Sequence, residues 1–185
     1  MKKLVLITGD LASGKSTFAD IAGKKFGVPV FHKDTVKEVL SVTFPFTDRS
    51  ENLKLSKAAM DVLKYIFLSS AKCGNDLILE ANYHAEQLNE MFCLAEKEGY
   101  SHLVIVLQGD IDILYNRYMN RIKNENRHPV HLSTNFDIKE NFENYVKNTR
   151  LPNINGYVLK LNADTFEYQT DKKTFQIIEK FITGN

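Results

Sequence analysis

The amino-acid sequence predicts an α/β protein, a three-layer doubly wound sheet of about five parallel strands with a small helical lid. Short apolar runs such as Leu4–Ile7 and Leu103–Leu107 have the composition of parallel strands buried on both faces. Each run precedes a stretch with apolar residues at helical spacing, and this alternation is typical of a parallel sheet. The 185 residues, 43% of them hydrophobic, suffice for one core, so we expect residues 1–185 to form a single domain.

The first strand leads directly into a glycine-rich loop. An amphipathic helix over Thr17–Phe26 follows this loop, so strand, loop and helix occur in the order that a phosphate-binding loop requires. The pattern G-x-x-x-x-G-K-[ST] is matched at every fixed position by Gly9, Asp10, Leu11, Ala12, Ser13, Gly14, Lys15, Ser16 and Thr17.

This arrangement directs backbone N–H groups at one spot, where the helix dipole favours an anion. We expect the loop to bind ATP, with Lys15 on the β- and γ-phosphates and the Ser16 hydroxyl on Mg²⁺. The other interpretation is a glycine-rich turn that only begins a helix.

A second short strand is predicted over Val28–His32, followed by a helix through Leu40. Asp34 lies just after this strand, on the edge of the sheet where open α/β proteins bind ligands. Its carboxylate is a candidate general base, and Asp34 or Thr35 also suits the N-cap of the helix. The aromatic residues of the irregular segment 42–49 either stack on an acceptor ring or pack at the domain edge.

A long amphipathic helix over 51–71 and a buried strand over 76–80 come next. The strand delivers Glu80 and Asn82 to the carboxyl edge of the sheet, where both are candidate substrate contacts. A carboxylate at this place also suits Mg²⁺, directly or through water, together with the Ser16 hydroxyl. Glu80 equally fits a cap for the helix that follows.

A group of arginines follows the fourth strand. Arg117 and Arg121 lie one turn apart on a predicted helix over 110–125, and Arg127 lies in the irregular segment just beyond it. Because guanidinium groups match phosphate oxygens, segment 117–135 suits a lid that closes over the transferring phosphate. A solvated helix face is the other interpretation.

Two more helices, over 137–148 and near the end of the sequence, flank a fifth strand over 157–161. The segment after this strand, 162–165, is expected near the nucleotide base. His128 and His131 have H-x-x-H spacing, but the sequence offers no evident third metal ligand.

Composition narrows the function classes. The net charge of +1 lacks the basic excess of a dedicated duplex-DNA binder, so nucleic acid is expected only as a local substrate. Cys73 and Cys93 have no partners at zinc spacing and are expected to be buried in a reducing cytosol. No stretch has transmembrane length, which predicts a cytoplasmic protein without a membrane partner. The oligomeric state stays open.

With these motifs in place, the whole chain resembles a small P-loop kinase of the nucleoside-monophosphate-kinase-like type. More narrowly, it resembles the polynucleotide-kinase, zeta-toxin and chloramphenicol-phosphotransferase-like group. The resemblance implies the strand order 2-3-1-4-5, with Asp34 activating the acceptor hydroxyl. It also implies an acceptor contact at Lys37, where the group has arginine, and a metal carboxylate at Glu80, where it usually has aspartate. The lid arginines of the group correspond to Arg117, Arg121 and Arg127.

The expected function is transfer of the ATP γ-phosphoryl group to a hydroxyl of a small molecule, a nucleoside or a nucleic-acid 5′ end. The alternative is a regulatory ATPase module that binds nucleotide and acts on a partner without a metabolite acceptor. That alternative leaves Asp34 and the arginine lid without a role. The base-reading motif of GTPases and the signature of ABC ATPases do not occur in the sequence.

Overall fold

The computed structural model describes residues 2–132, 134–151 and 153–184. Its single sheet is parallel throughout, and its strand order β2-β3-β1-β4-β5 confirms the order implied by the resemblance. The strands are β1 (Lys2–Gly9), β2 (Val30–His32), β3 (Leu77–Glu80), β4 (Tyr100–Gln108) and β5 (Tyr157–Asn162). Because β1 is central, the loop that follows it lies in the middle of the carboxyl edge.

Helices cover both faces of the sheet. One apolar cluster lies between the sheet and α3 with α4, and a second lies between the sheet and α1 with α7. The predicted doubly wound architecture is therefore confirmed. The α-helices are α1 (Lys15–Phe26), α2 (Lys33–Thr43), α3 (Arg49–Cys73), α4 (Ala85–Lys97), α5 (Ile111–Asn124), α6 (Lys139–Thr149) and α7 (Lys172–Thr183).

We call the helices α5 and α6 together the α5–α6 hairpin. A third apolar cluster lies between these two helices, outside the sheet. Its buried members are Leu114, Tyr118, Phe142 and Val146. Leu11 and Ala12 of the glycine-rich loop pack against this cluster. The helical part of the predicted lid therefore rests directly on the loop.

The starts of two helices differ from the predicted ones. His32 is the N-cap of α2, and Asp34 lies inside the first turn, so the N-cap role considered for Asp34 or Thr35 was wrong. The Asp48 side chain accepts a hydrogen bond from the Glu51 N–H at 2.9 Å and caps α3. This cap lengthens α3 and shortens the predicted irregular segment.

Both cysteines are exposed, which corrects the expectation that they are buried. Cys93 lies on the side of α4 opposite its buried residues, among them Met91 and Ala95, and Cys73 is the last residue of α3. Sequence hydrophobicity alone does not distinguish such positions from core positions. Among the described residues, no helix has both the length and the apolar composition needed to cross a membrane.

Replacing Gly9 with alanine is expected to lower the free energy of unfolding by about 3 kcal/mol or more. Gly9 has φ +135°, and a Cβ there would overlap the Leu107 carbonyl oxygen. Gly99→Ala is the matched control, since Gly99 has φ +72° with no atom within 4 Å of the added carbon. It should cost about 1 kcal/mol. Urea denaturation compares the two variants, and equal losses would contradict the close approach of β1 to β4.

Candidate active site

The glycine-rich loop presents the first turn of α1 to a cavity. Gly14 is the N-cap of α1 and adopts the left-handed conformation, with φ 82° and no side-chain cap. The Lys15 ammonium is buried and donates a hydrogen bond to the Asp10 carbonyl at 2.6 Å. Burial lowers the pKa of Lys15, although the negative charges of Glu80 and Asp34 raise it in part. An N-terminus with free amides and a buried cation is suited to bind phosphate.

Two adjoining cavities open at this edge of the sheet. The loop cavity, of about 410 Å³, is lined by residues 11–17 together with Glu80, Asn82 and Phe166. The outer cavity, of about 620 Å³, is lined by residues that include Thr35 and Glu38. Both cavities are lined by Ser16, Asp34, Arg121, Glu125 and Arg127. These five shared residues form the junction between the two cavities.

Asp34 lies at this junction, in the first turn of α2. Its side chain is exposed to the cavities, and no other described residue makes a hydrogen bond or an ion pair with its carboxylate. Its negative charge raises the pKa of Lys15 and of Arg127, although burial lowers both overall. The carboxylate therefore faces both cavities without a partner in the described part of the chain, which is the placement that a general base requires.

Glu80 ends β3 directly beside the start of α1. Its Oε2 accepts a hydrogen bond from the Ser16 hydroxyl at 3.1 Å and lies 3.0 Å from His32 Nδ1. The alternative role as a helix cap is not observed, since His84 is the N-cap of α4. Ser16 and Glu80 thus offer a hydroxyl and a carboxylate oxygen at one wall of the loop cavity. Such an oxygen pair fits Mg²⁺, which takes its other ligands from phosphates and water.

His32 joins Glu80 to Asp20, whose Oδ1 lies 2.9 Å from His32 Nε2. The hydrogen bond to Glu80 raises the pKa of His32 from 6.5 to about 9. Nothing in the sequence singled out His32, because its partners lie on α1 and on β3. An imidazolium therefore neutralises part of the carboxylate charge at this wall.

His32→Gln is expected to lower the free energy of unfolding by about 2–3 kcal/mol at pH 7. Because the pKa in the folded state exceeds the ordinary value of 6.5, this stabilisation is complete below pH 6.5 and disappears as the pH rises through about 9. Urea denaturation of both proteins at several pH values measures the difference. A difference that stays constant with pH would contradict a charged His32.

The three arginines of the predicted lid occupy different places. Arg121, paired with Glu125 at 3.0 Å, and Arg127 reach the junction with Asp34. Arg117 instead donates hydrogen bonds to the carbonyls of Ala163 and Asp164, and its guanidinium lies 4.1 Å from the centre of the Phe166 ring. Arg117 therefore lies beside the segment after β5, where the sequence predicts the nucleotide base.

Lys37 and Asn82, the other predicted substrate contacts, differ in position. Lys37 is buried away from both cavities, donating to Asn52 Oδ1 at 2.6 Å and to the Val130 carbonyl at 3.4 Å. Burial lowers its pKa to about 8. Asn82 lines the loop cavity, and its buried Oδ1 has no hydrogen-bond partner among the described residues. Asn82 is therefore placed to meet a ligand, whereas Lys37 anchors the segment that contains Val130.

The two histidines at H-x-x-H spacing line the outer cavity. His131 Nε2 lies 2.7 Å from Glu38, whereas His128 Nδ1 accepts a hydrogen bond from the Val130 N–H. Among the described residues, no group of three or more histidine, cysteine or acidic side chains is arranged to hold a metal ion.

The aromatic residue Phe44 lines a separate groove between α2 and α3 and lines neither cavity.

Sequence reasoning missed Arg150, which contacts the loop itself. Arg150, just after α6, forms an ion pair with Asp10 at 2.6 Å. The two residues are 140 positions apart, and no local motif contains Arg150. The two residues meet only when the helices are assembled around the sheet, so the sequence does not reveal the pair.

Neither family models nor curated proteins match the sequence. Solved structures match it along almost its whole length. A candidate kinase from Chloroflexus aurantiacus has 24% identity and a TM-score of 0.84, with 97% of this chain and 98% of that chain covered.

Two other structures show the same likeness at lower identity. A sugar kinase from Janibacter sp. has 13% identity and a TM-score of 0.63, covering 99% of this chain and 95% of that one. Chaetomium thermophilum Kti12 in complex with ADP-AlF₃ has 20% identity and a TM-score of 0.63, covering 97% and 98%. At these identities the likeness concerns the fold. The chain therefore has the fold of the small P-loop kinases, as its resemblance to them implies.

Proposed function

We propose that this protein is a kinase that transfers the γ-phosphoryl group of ATP to a hydroxyl group of an acceptor molecule. The observation that carries the proposal is the position of Asp34 at the junction of the two cavities. One cavity is walled by a phosphate-binding loop, and the other is open to a second molecule. A regulatory ATPase has no need of a carboxylate between two such cavities.

Each residue has a definite task in this proposal. ATP binds along residues 9–17, and Lys15 neutralises the β- and γ-phosphates. Asp34 accepts the proton of the acceptor hydroxyl as that oxygen forms its bond to the γ-phosphorus. The bond between this phosphorus and the bridging oxygen breaks, and ADP is the leaving group. Arg121 and Arg127 stabilise the charge of the phosphoryl group in transit.

Arg117 takes a different place in the proposal. Its guanidinium is stacked on Phe166, so we assign it to the nucleotide end of the loop cavity. Ser16 and Glu80 would hold Mg²⁺, which neutralises phosphate charge when it is bound. Glu80 and Asn82 line the loop cavity and are our candidate substrate contacts there, and the unpartnered Asn82 Oδ1 suits a hydroxyl donor.

The comparisons support ATP as the nucleotide and phosphoryl transfer as the general reaction. The Janibacter structure is named a sugar kinase, and the Kti12 structure contains ADP-AlF₃. Both have the same fold as this chain. In this chain, that fold places the glycine-rich loop and Asp34 at one edge of the sheet. The acceptor stays within three classes, namely a small hydroxylated molecule, a nucleoside or a nucleic acid with a 5′-hydroxyl.

The deciding experiment incubates the protein with γ-labelled ATP and Mg²⁺ and a panel of acceptors. The panel contains sugars and other hydroxylated metabolites, nucleosides and 5′-hydroxyl oligonucleotides. We expect label to appear on one acceptor class, and the Lys15→Ala variant is the negative control. ATP consumption that no member of the panel stimulates, with label found only in free phosphate, would contradict the kinase and favour the regulatory ATPase.

A further inference from the structure

The second residue of the phosphate-binding loop, Asp10, has a buried side chain with several partners. Arg150 approaches it with two nitrogens, Nε at 3.2 Å from both carboxylate oxygens and Nη2 at 2.6 Å from Oδ2. Arg150 also donates to the Gly109 carbonyl, while the Gly109 N–H donates to Asp10 Oδ2 at 3.2 Å. The carboxylate is therefore fixed by a guanidinium and by the backbone of Gly109, the residue just after β4.

The backbone carbonyl of the same residue organises the rest of the loop. It accepts hydrogen bonds from Lys15 Nζ at 2.6 Å and from the Ser13 hydroxyl at 2.7 Å. A shift of Asp10 would therefore displace the lysine that the proposed reaction needs. Ala12 adopts a positive φ of 57°, a strained conformation that persists only where its surroundings fix it.

Arg150 reaches the loop from the α5–α6 hairpin, directly after the end of α6. The apolar cluster of the same hairpin holds Leu11 and Ala12. The hairpin thus contacts the loop twice, through an ion pair at Asp10 and through apolar packing at the next two residues. Arg150 itself lines neither cavity, so any effect on bound ATP must pass through Asp10.

We propose that Arg150 is a positioning residue for ATP: through Asp10 it holds the phosphate-binding loop in its binding conformation and couples the loop to the α5–α6 hairpin. The inference rests on the proposed function in assuming that the loop binds ATP. A purely structural role for the pair is the competing explanation. In this pair Asp10 is buried and Arg150 is partly exposed. Such a pair contributes little net stability compared with apolar residues, so its position in the loop points to a geometric role.

The test is a double-mutant cycle on ATP affinity, with Arg150→Gln, Asp10→Asn and both together. Isothermal calorimetry gives the Kd of ATP·Mg²⁺ at a temperature where scanning calorimetry shows each protein folded. We expect each single variant to raise Kd about tenfold or more, because a small misplacement of a binding group has effects of this size. The double variant should resemble the single variants, since the two residues act as one unit.

Two further variants make the result decisive. Lys147→Gln removes an exposed ion pair with Glu143 on α6, and it should leave Kd unchanged. Arg150→Lys keeps the positive charge but loses the two-nitrogen contact, so it should raise Kd even if Arg150→Gln does not fold. Wild-type Kd in the folded Arg150 variants, or additive effects in the cycle, would overturn the proposal. The cycle measures binding alone, so it decides this inference even if phosphoryl transfer is not found.

Discussion

Lys15→Ala is expected to lower the rate of phosphoryl transfer by a factor on the order of 10² or more. The Lys15 ammonium is the buried cation of the loop cavity, and its hydrogen bond in the structure goes to the Asp10 carbonyl. The ammonium can therefore stabilise the negative charge that develops between the β- and γ-phosphates. Initial rates with labelled ATP and the acceptor identified by the panel give kcat and KM for both proteins.

Loss of fold is not the expected cause of this decrease. Burial lowers the pKa of Lys15, which shows that the protein interior disfavours the charged form. Removing the ammonium should therefore cost little stability, and scanning calorimetry checks this. Lys24→Ala is the matched control, because Lys24 lies exposed on the same helix. An unchanged kcat/KM in Lys15→Ala would remove the basis of the proposed reaction.

Asp34→Asn should reduce kcat by a factor on the order of 10² to 10⁴ while leaving the affinity for ATP nearly unchanged. The amide has the shape of the carboxylate but cannot accept the proton of the acceptor hydroxyl. Asp34 lies at the junction of the cavities and outside the loop at residues 9–17, so we expect nucleotide binding to depend on it little. Calorimetric titration with ATP·Mg²⁺ and initial-rate measurements separate the two effects.

Asp61→Asn provides the control for this substitution. Asp61 is an exposed aspartate on α3 whose contact is a 3.4 Å ion pair with Lys64. Its replacement should change neither kcat nor ATP affinity. If Asp34→Asn also kept its kcat, Asp34 would be an ordinary residue of the first turn of α2, and another group would have to take the proton.

The parts of the fold that the sequence predicted depend on local signals. The apolar run of β1, the glycines of the loop and the amphipathic start of α1 are contiguous, and each signal identifies its own element. Asp110 was the expected start of α5, and its side chain does cap that helix by accepting from Asp112 N–H at 2.9 Å. The order of the strands is different in kind, because periodicity within a strand carries no information about its neighbours.

The parts of the site that the sequence did not predict depend on contacts between distant residues. Arg150 and Asp10, like His32 and Glu80, meet only because separate strands and helices converge at the carboxyl edge. The position of Lys37 is another such case, since Asn52 on the neighbouring helix binds its ammonium. Matching Lys37 to an arginine of a known group identifies the position but not the direction of the side chain.

The central place of β1 also affects how the chain can fold during synthesis. Leu4 pairs with Leu77 on one side and with His102 on the other, so both neighbours of β1 are made long after it. Until β4 is complete, β1, with its apolar centre, lacks its hydrogen-bonding partner on one side and is prone to associate with other chains. Nascent chains that end before Gln108 should therefore be sensitive to protease and depend on chaperones, and protection should appear only when β4 has left the ribosome.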